Sequence, residues 1–198
     1  MLEARDIHFA YRPEAPILSG VSLALAPGEL IGLSGASGGG KSTLGRIMAG
    51  YLHPGRGSVT SGESMSGWSP VQYLHQSSIF AVDPRWRIGR IVEEGWQPDE
   101  ATRQALGISR AWYDRYPHEI SGGELQRVTL LRALSPQTRY LIADEITAML
   151  DPITQADIWR LLLARCEAGL GILAISHDAP LLARVATRTV TMQSGKLL

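Results

Sequence analysis

One glycine-rich segment, residues 35–42, restricts the fold more than any other feature of this chain. Its letters, GASGGGKS, match the pattern GxxxxGK[ST]; an apolar run at residues 30–33 precedes it, and a helical pattern starts near Lys41. Glycines let the backbone turn tightly and aim successive N–H groups at one point, where the start of a helix adds positive potential. The sequence therefore predicts a strand, a phosphate-binding loop and a helix in direct succession. A flexible glycine loop with a chance lysine is the plainer alternative.

Phosphate chemistry assigns roles to the residues of this loop. Lys41 is expected to reach the β and γ phosphates of a bound nucleotide, and the Ser42 hydroxyl is expected to ligate Mg²⁺. The predicted nucleotide-binding residues of the loop and the first helical turn are Gly35, Ser37, Gly38, Gly39, Gly40, Lys41, Ser42 and Thr43. By itself the loop indicates binding of a nucleoside triphosphate and leaves the class of NTPase open.

Length and composition favour one globular domain. The 198 residues are 44% hydrophobic and 19% charged, and 19 basic and 19 acidic residues give a formal net charge of zero. Without a basic field, we do not expect nucleic acid as a partner. The most apolar stretch, residues 161–175, contains Arg165 and Glu167, so we expect no membrane-spanning segment. The single Cys166 favours a reducing compartment, and residues 1–11 lack the layout of a secretory signal.

Short apolar runs alternate with helical patterns along the chain, which predicts an α/β fold. Strands are predicted at residues 2–11, 21–25, 30–33, 71–74, 140–143, 171–175 and 187–192, and helices at 41–50, 125–134 and 154–167. Between residues 77 and 118 the strand signals vanish, and three tryptophans and several charged residues lie in short helical patterns. We therefore expect a single domain over residues 1–198, with a helical subdomain at about residues 77–135 inserted in its core.

Two adjacent carboxylates, Asp144 and Glu145, follow the apolar run at residues 140–143. In sheets of this class the carboxyl ends of the strands carry the polar chemistry, beside the phosphate loop. Asp144 is then expected to be a Mg²⁺ partner, and Glu145 to orient and deprotonate the water that attacks the γ phosphate. An exposed turn is the alternative for such a pair in isolation, and the phosphate loop upstream favours the catalytic interpretation.

A third motif, SGGELQR at residues 121–127, begins a predicted helix with a serine cap and two glycines. Such a helix start leaves N–H groups free to bind an anion, although alone it is equally typical of an exposed, capped helix. Lying between the phosphate loop and the acidic pair, it resembles the signature of ATP-binding cassette (ABC) proteins. The resemblance extends from Tyr11 to Lys196, with the motifs in the family's order. It implies an ABC-type P-loop NTPase fold, with a mixed sheet core, an antiparallel β edge and an inserted helical subdomain.

The resemblance gives functional roles to three residues that carry little information alone. Tyr11 is similar to the aromatic residue that stacks on adenine, although a tyrosine at the end of a strand is often a core residue. Gln76 resembles the glutamine that contacts the metal and the attacking water. His177 resembles the switch histidine that contacts the γ phosphate. With Glu145, Gln76 and His177 form the predicted catalytic set, and the implied cofactors are ATP and Mg²⁺.

The signature is the part of the resemblance that implies a second cassette. In ABC proteins this segment completes the ATP site of the partner, so Ser121, Gly122 and Gly123 are expected to face a nucleotide on the partner's phosphate loop. Asp151 matches the family's D-loop aspartate at the same interface, or it caps the helix before Pro152. The partner is a copy of this chain or a paralogue.

The resemblance also implies a place in the cell. It points to integral membrane permease subunits, an extracytoplasmic solute-binding protein, and a peripheral position on the cytoplasmic face of a bacterial cell membrane. Pro84 and Arg85, with Glu94 downstream, fall at the spacing seen in importers of peptides, nickel and related metal chelates. The cargo stays open.

Other function classes remain as alternatives. One is a soluble ABC ATPase of DNA repair or translation, and another is an ABC subunit for a different cargo class. A GTPase or small-molecule kinase would share only the phosphate loop, and neither class explains residues 121–127.

Overall fold

The computed structural model describes residues 1–62, 69–148 and 150–198. Its strands are β1 (Leu2–Arg12), β2 (Ala15–Leu25), β3 (Leu30–Gly35), β4 (Arg56–Thr60), β5 (Val71–Leu74), β6 (Tyr140–Asp144), β7 (Gly171–Ile175), β8 (Arg188–Gln193) and β9 (Lys196–Leu197). Its helices are α1 (Lys41–Met48), α2 (Ile88–Val92), α3 (Glu100–Ala105), α4 (Gly122–Ala133), α5 (Pro152–Glu167) and α6 (Ala179–Val185). Short 3-10 turns lie at Ser78–Ala81, Arg110–Trp112 and Pro117–Glu119.

Two sheets form the β structure of the described residues. A six-stranded sheet has the order β5-β6-β7-β3-β8-β9, in which the first five strands run parallel and β9 is antiparallel to β8. A separate antiparallel sheet has the order β2-β1-β4. Because β3, β6 and β7 are parallel neighbours, their carboxyl ends lie at one edge, where the phosphate loop and the acidic pair follow.

The central strands divide the hydrophobic core into two layers. Every residue of β6 and β7 is buried, which explains their continuous apolar sequence. Side chains alternate between faces, so Leu141 and Ile172 join the layer that contains α4 and α5. Ile142 and Leu173 join the layer that contains α1 and the antiparallel sheet. The two packed layers hold the carboxyl edge of the sheet rigid.

Between β5 and α4 the chain forms only short helices and turns over the described residues 77–121. They attach to α4 through apolar residues such as Ile88, Ile91 and Trp112, which belong to the same buried cluster. The Trp96 indole N–H donates to the carbonyls of Leu131 and Arg132 at the end of α4, at 3.2 and 3.0 Å. These contacts fasten the short helices to the helix that follows the signature.

Several elements differ from the sequence expectation. Strand β2 begins at Ala15 rather than at residue 21, because β1 and β2 form one long hairpin whose register shifts break the apolar alternation. The expectation lacked β4, β9 and α6; β4 is mostly exposed and has no alternating pattern. Within the described residues, none of the helices has the length and apolarity that crossing a bilayer requires.

Candidate functional site

The phosphate loop joins β3 directly to α1, as the motif predicted. Gly35 has φ 135° and Gly40, the residue before α1, has φ 102°, conformations that favour glycine. A Cβ added to Gly35 would lie 2.2 Å from the Met192 carbonyl oxygen, and one on Gly40 would lie 2.8 Å from Leu18 Cδ2. The glycines are therefore required both by backbone conformation and by close contacts with β8 and β2.

Lys41 folds back over the loop at the start of α1. Its ammonium donates to the carbonyl oxygens of Gly35, at 2.7 Å, and Ala36, at 3.0 Å, and the side chain is mostly buried. A cavity of about 510 Å³ lies beside the loop, lined by Gly35, Ala36, Ser37, Gly38, Gly39 and residues 191–194. The loop thus combines a positive charge and a helix N-terminus with an open cavity, an arrangement suited to an anion.

Asp144, at the end of β6, is 4% exposed. The Tyr73 hydroxyl donates to its Oδ2 at 2.5 Å, while Oδ1 is buried without a hydrogen-bond partner among the described residues. Asp144 and Leu33 both pair with Ile175 of β7, so the carboxylate stands level with the end of β3. A buried carboxylate oxygen that lacks a donor fits a hard cation such as Mg²⁺, which prefers oxygen ligands.

Glu145 has φ 53°, a conformation uncommon for a side chain with a Cβ, and its N–H donates to the Ile175 carbonyl at 2.9 Å. This turn brings the carboxylate to His177, whose Nδ1 lies 2.8 Å from Oε2 and 3.0 Å from Oε1. The Glu145 side chain is 13% exposed and that of His177 is 72% exposed. The structure therefore brings together a shielded carboxylate and an accessible imidazole, as a base and its orienting partner require.

Gln76 and the start of α4 adjoin the same carboxylate. Gln76, Gly122, Glu145 and Leu150 are among the residues that line a cavity of about 210 Å³. Among the described residues, this cavity and the one beside the phosphate loop share no lining residue. One chain thus gathers Gln76 and Glu145 near the signature, while its phosphate loop opens on a different cavity.

Ser121 caps α4 in a reciprocal arrangement. Its Oγ accepts from the Glu124 N–H at 3.2 Å, and the Glu124 carboxylate accepts from the Ser121 N–H at 2.7 Å. Gly122 has no atom of the described residues within 4 Å of an added Cβ, whereas a Cβ on Gly123 would lie 3.0 Å from Leu150 Cδ2. The signature therefore forms a stable helix end whose first glycine faces open space.

The remaining predicted residues lie at the ends of β1, α1 and α5. Tyr11 is 58% exposed at the end of β1, with its ring 4.9 Å from that of Phe9, so it is not a core residue. Ser42 is half-buried and Thr43 buried in the first turn of α1. Asp151 caps α5, accepting from the N–H groups of Ile153 and Thr154 at 3.0 Å. The capping interpretation of Asp151 is thus realised in the structure.

Sequence reasoning missed two contributors to this edge of the sheet. Thr147 Oγ1 lies 3.1 Å from Gln155 Nε2 and 3.2 Å from Trp159 Nε1, which ties the loop after Glu145 to α5. Tyr73 is buried beside Asp144; burial raises the pKa of its hydroxyl, and the hydrogen bond to Asp144 raises it further. No motif marks either residue. If β5 had been paired with β6 at the sequence level, Tyr73 could have been predicted to lie beside Asp144.

Sequence comparison relates the chain to import proteins. The profile of the family described as ABC transporter matches residues 18–148. NikE of Rhodospirillum rubrum, a nickel import ATP-binding protein, is 34% identical over 230 residues, covering 100% of this chain and 83% of NikE. A Brucella abortus protein, provisionally named as a peptide import ATP-binding protein, is 32% identical, covering 98% of this chain and 67% of its own length.

Structural comparison relates the fold to ATP-binding cassettes. The structure titled "Dimeric Structure of MJ0796, a Bacterial ABC Transporter Cassette" matches with a TM-score of 0.84 at 22% identity, covering 100% of this chain and 96% of that one. A post-hydrolysis dimer of MJ0796 bound to ADP and Pi matches with a TM-score of 0.83 at 22% identity and the same coverage. The expected fold class is confirmed.

Proposed function

Since the chain belongs to the ABC transporter family and is an ATP-binding ATPase, we propose that it powers import across the cytoplasmic membrane, with peptides, nickel or related metal chelates as cargo. The single observation that carries the catalytic part is the Glu145–His177 pair at 2.8 Å beside the buried Asp144. The importer class rests on two relatives, which are named as nickel and peptide import ATP-binding proteins, and on the spacing of Pro84, Arg85 and Glu94.

ATP binding uses the phosphate loop and the exposed aromatic ring. The Lys41 ammonium exchanges its loop carbonyls for the β and γ phosphate oxygens, while the N–H groups of the loop and the start of α1 bind the same phosphates. Tyr11, exposed at the end of β1, stacks on the adenine. Mg²⁺, which neutralises phosphate charge, would be held by Ser42, Gln76 and the free Oδ1 of Asp144.

Hydrolysis needs a water activated opposite the γ phosphate. Glu145 accepts a proton from this water as its oxygen attacks phosphorus, and the bond between phosphorus and the leaving oxygen of ADP breaks. His177 orients the Glu145 carboxylate by donating its Nδ1–H. Its contact with the γ phosphate uses Nε2, which can donate to a phosphate oxygen only when both ring nitrogens carry a proton. Gln76 lies on the same cavity as Glu145 and positions the water.

We propose a second cassette, a copy or a paralogue, as the partner that completes the site. Ser121, Gly122 and Gly123 would close over the nucleotide on the partner's loop, as the resemblance to the ABC signature implies, and a structural neighbour of this fold is a dimeric cassette. The helical subdomain at about residues 77–135 would contact integral permease subunits, at the cytoplasmic face of a bacterial membrane. An extracytoplasmic solute-binding protein would deliver the cargo.

The catalytic proposal is tested with Glu145→Gln. The amide cannot accept the proton, so we expect ATP turnover of the assembled complex to fall by about a thousandfold or more, with ATP binding retained. Glu167→Gln, at the exposed end of α5, is the matched control and should turn over ATP at the parent rate. Parent-like turnover by Glu145→Gln would remove Glu145 from the base role.

The transport proposal is tested by purification from membranes of the source cells. The tagged chain, with MgATP present, should recover integral membrane subunits and a second cassette, and reconstituted vesicles should take up labelled nickel or peptide only with ATP. Recovery of ribosomes or DNA without membrane subunits would instead support a soluble ABC ATPase.

A further inference from the structure

Tyr73 makes a buried contact with the carboxylate that the proposed function assigns to the metal. It lies in β5, whose register pairs Tyr73 with Ile142 and Leu74 with Ala143, one residue before Asp144. The hydroxyl donates to Asp144 Oδ2 at 2.5 Å. Tyr73 is 5% exposed and Asp144 is 4% exposed. Because Oδ2 accepts this bond, Oδ1 is the oxygen left without a partner among the described residues.

The ring of Tyr73 is held on several sides. Gly45 of α1 leaves room for it, since a Cβ there would lie 3.3 Å from Tyr73 Cε2. The His75 ring packs edge-on at 4.8 Å between centroids, and the Tyr51 ring lies at 5.7 Å. A ring packed in this way has little rotational freedom. The packing around the ring, rather than Asp144, therefore fixes the position of the Tyr73 hydroxyl oxygen.

The Tyr73 hydroxyl is the donor of its bond to Asp144. A carboxylate has acceptors only, so the hydroxyl hydrogen is directed to Oδ2. The Arg46 guanidinium on α1 interacts electrostatically with the same hydroxyl, and because a guanidinium has donors only, it favours the same orientation.

We propose that Tyr73 is a positioning residue, which fixes the rotation of the Asp144 carboxylate so that Oδ1 faces the divalent cation of the bound nucleotide. This inference rests on the proposed role of Asp144. Groups that hydrogen-bond to a metal ligand orient it, and their removal typically costs about 10- to 100-fold in metal affinity or activity. Tyr73 acts on the divalent cation only through Asp144, and it does not touch the nucleotide.

The test measures binding, not turnover, in the full-length Glu145→Gln chain. Affinity for a fluorescent ATP analogue is measured against MgCl₂ concentration and again in EDTA, for Tyr73→Phe and for Tyr51→Phe. We expect Tyr73→Phe to raise the Mg²⁺ concentration at half-effect by about tenfold while the affinity in EDTA stays unchanged. Tyr51→Phe, which removes a hydroxyl from the same aromatic cluster without touching Asp144, should match its parent.

A double-mutant cycle separates positioning from stability. In an Asp144→Asn background, loss of the Tyr73 hydroxyl should have no further effect on the Mg²⁺ dependence, because both changes act through one carboxylate. An unchanged Mg²⁺ dependence in Tyr73→Phe, or an equal loss of affinity with and without Mg²⁺, would overturn the inference. Failure of the Glu145→Gln parent to bind the analogue would instead overturn the proposed function.

Discussion

The phosphate loop and the signature are both glycine-rich helix starts, yet the chain surrounds them differently. Gly35 and Gly40 lie against Met192 and Leu18, so their lack of a side chain is demanded by this chain's own fold. Gly122 meets no described atom within 4 Å of an added Cβ. Because no described residue requires a glycine at this position, we interpret Gly122, a residue of the ABC signature, as one that the proposed partner cassette requires.

The two helix starts also differ in capping. Gly40 offers α1 no side-chain oxygen, which leaves the first N–H groups of α1 for a ligand. At α4 Ser121 and Glu124 satisfy each other's N–H groups, so that helix is stable without a ligand. The start of α1 is therefore suited to bind an anion, and the start of α4 is suited to contact the proposed partner cassette.

The largest expected effect is that of Gly35→Ala. A Cβ 2.2 Å from the Met192 carbonyl oxygen, at φ 135°, should lower the free energy of unfolding by about 3 kcal/mol or more. Chemical denaturation measures this loss. Gly50→Ala, where φ is 79° and the space is open, isolates the backbone strain and should cost roughly 1 kcal/mol. Equal losses at both positions would mean that the contact with β8 does not matter.

Lys41→Ala should act on nucleotide binding rather than on folding. Removing the charged donor should weaken ATP binding by roughly 10- to 100-fold, given about 1.5–3 kcal/mol for hydrogen bonds to charged groups. Calorimetric titration with ATP measures the change. Lys196→Ala removes the only other lysine, which is exposed in β9, and should bind as the parent does. Parent-like affinity in Lys41→Ala would place the triphosphate elsewhere.

Ser121→Ala tests the capped helix start. Losing the cap should lower the free energy of unfolding of the isolated chain by about 1 kcal/mol, as thermal or chemical melting would measure. Ser58→Ala, on the exposed strand β4, should have almost no effect. If Ser121→Ala loses only about 1 kcal/mol of stability but much more turnover in the complex, the signature acts mainly in closure on the partner. A loss of turnover no larger than the loss of stability explains would contradict that role.

The smallest expected effect on stability is that of Gly122→Ala. Alanine fits the open space and favours the helix, so the unfolding free energy should change by less than about 1 kcal/mol, towards greater stability. ATP-dependent association with the second cassette, followed by sedimentation, should nevertheless weaken. A destabilised chain with unaltered association would reverse the interpretation of this glycine.

The sequence predicted those parts of the fold in which local signals agree. Two regions were predicted in this way: the strand, loop and helix around Lys41, and the buried strand before Asp144. In each, the motif, the hydrophobic pattern and the flanking residues indicate the same structure. Helix α6 had an Asp178 cap and Pro180 as its signal, but only seven residues to show a period. Strand β4 pairs with β1 through backbone bonds while its side chains are mostly exposed, so no pattern marks it.

The site was predictable to the level of residue types, and less so in geometry. The order of the motifs predicted that Glu145 and His177 belong to one site. Their hydrogen bond depends on the φ of 53° at Glu145, which no local sequence pattern predicts. Tyr73 reaches Asp144 across 71 positions of the chain, through strand pairing that only the folded sheet defines. Long-range contacts of this kind are the part that sequence reasoning leaves out.

The central claim is that a triphosphate on one phosphate loop is closed by the signature of a second cassette. The most direct test places a cysteine at Gly122 in the Glu145→Gln chain and adds a short thiol-to-amine cross-linker to membranes of the source cells. With MgATP, mass spectrometry should find residue 122 joined to the phosphate-loop lysine of a second cassette chain, and the adduct should fade with ADP. A residue 122 that joins no second cassette in MgATP would contradict the account.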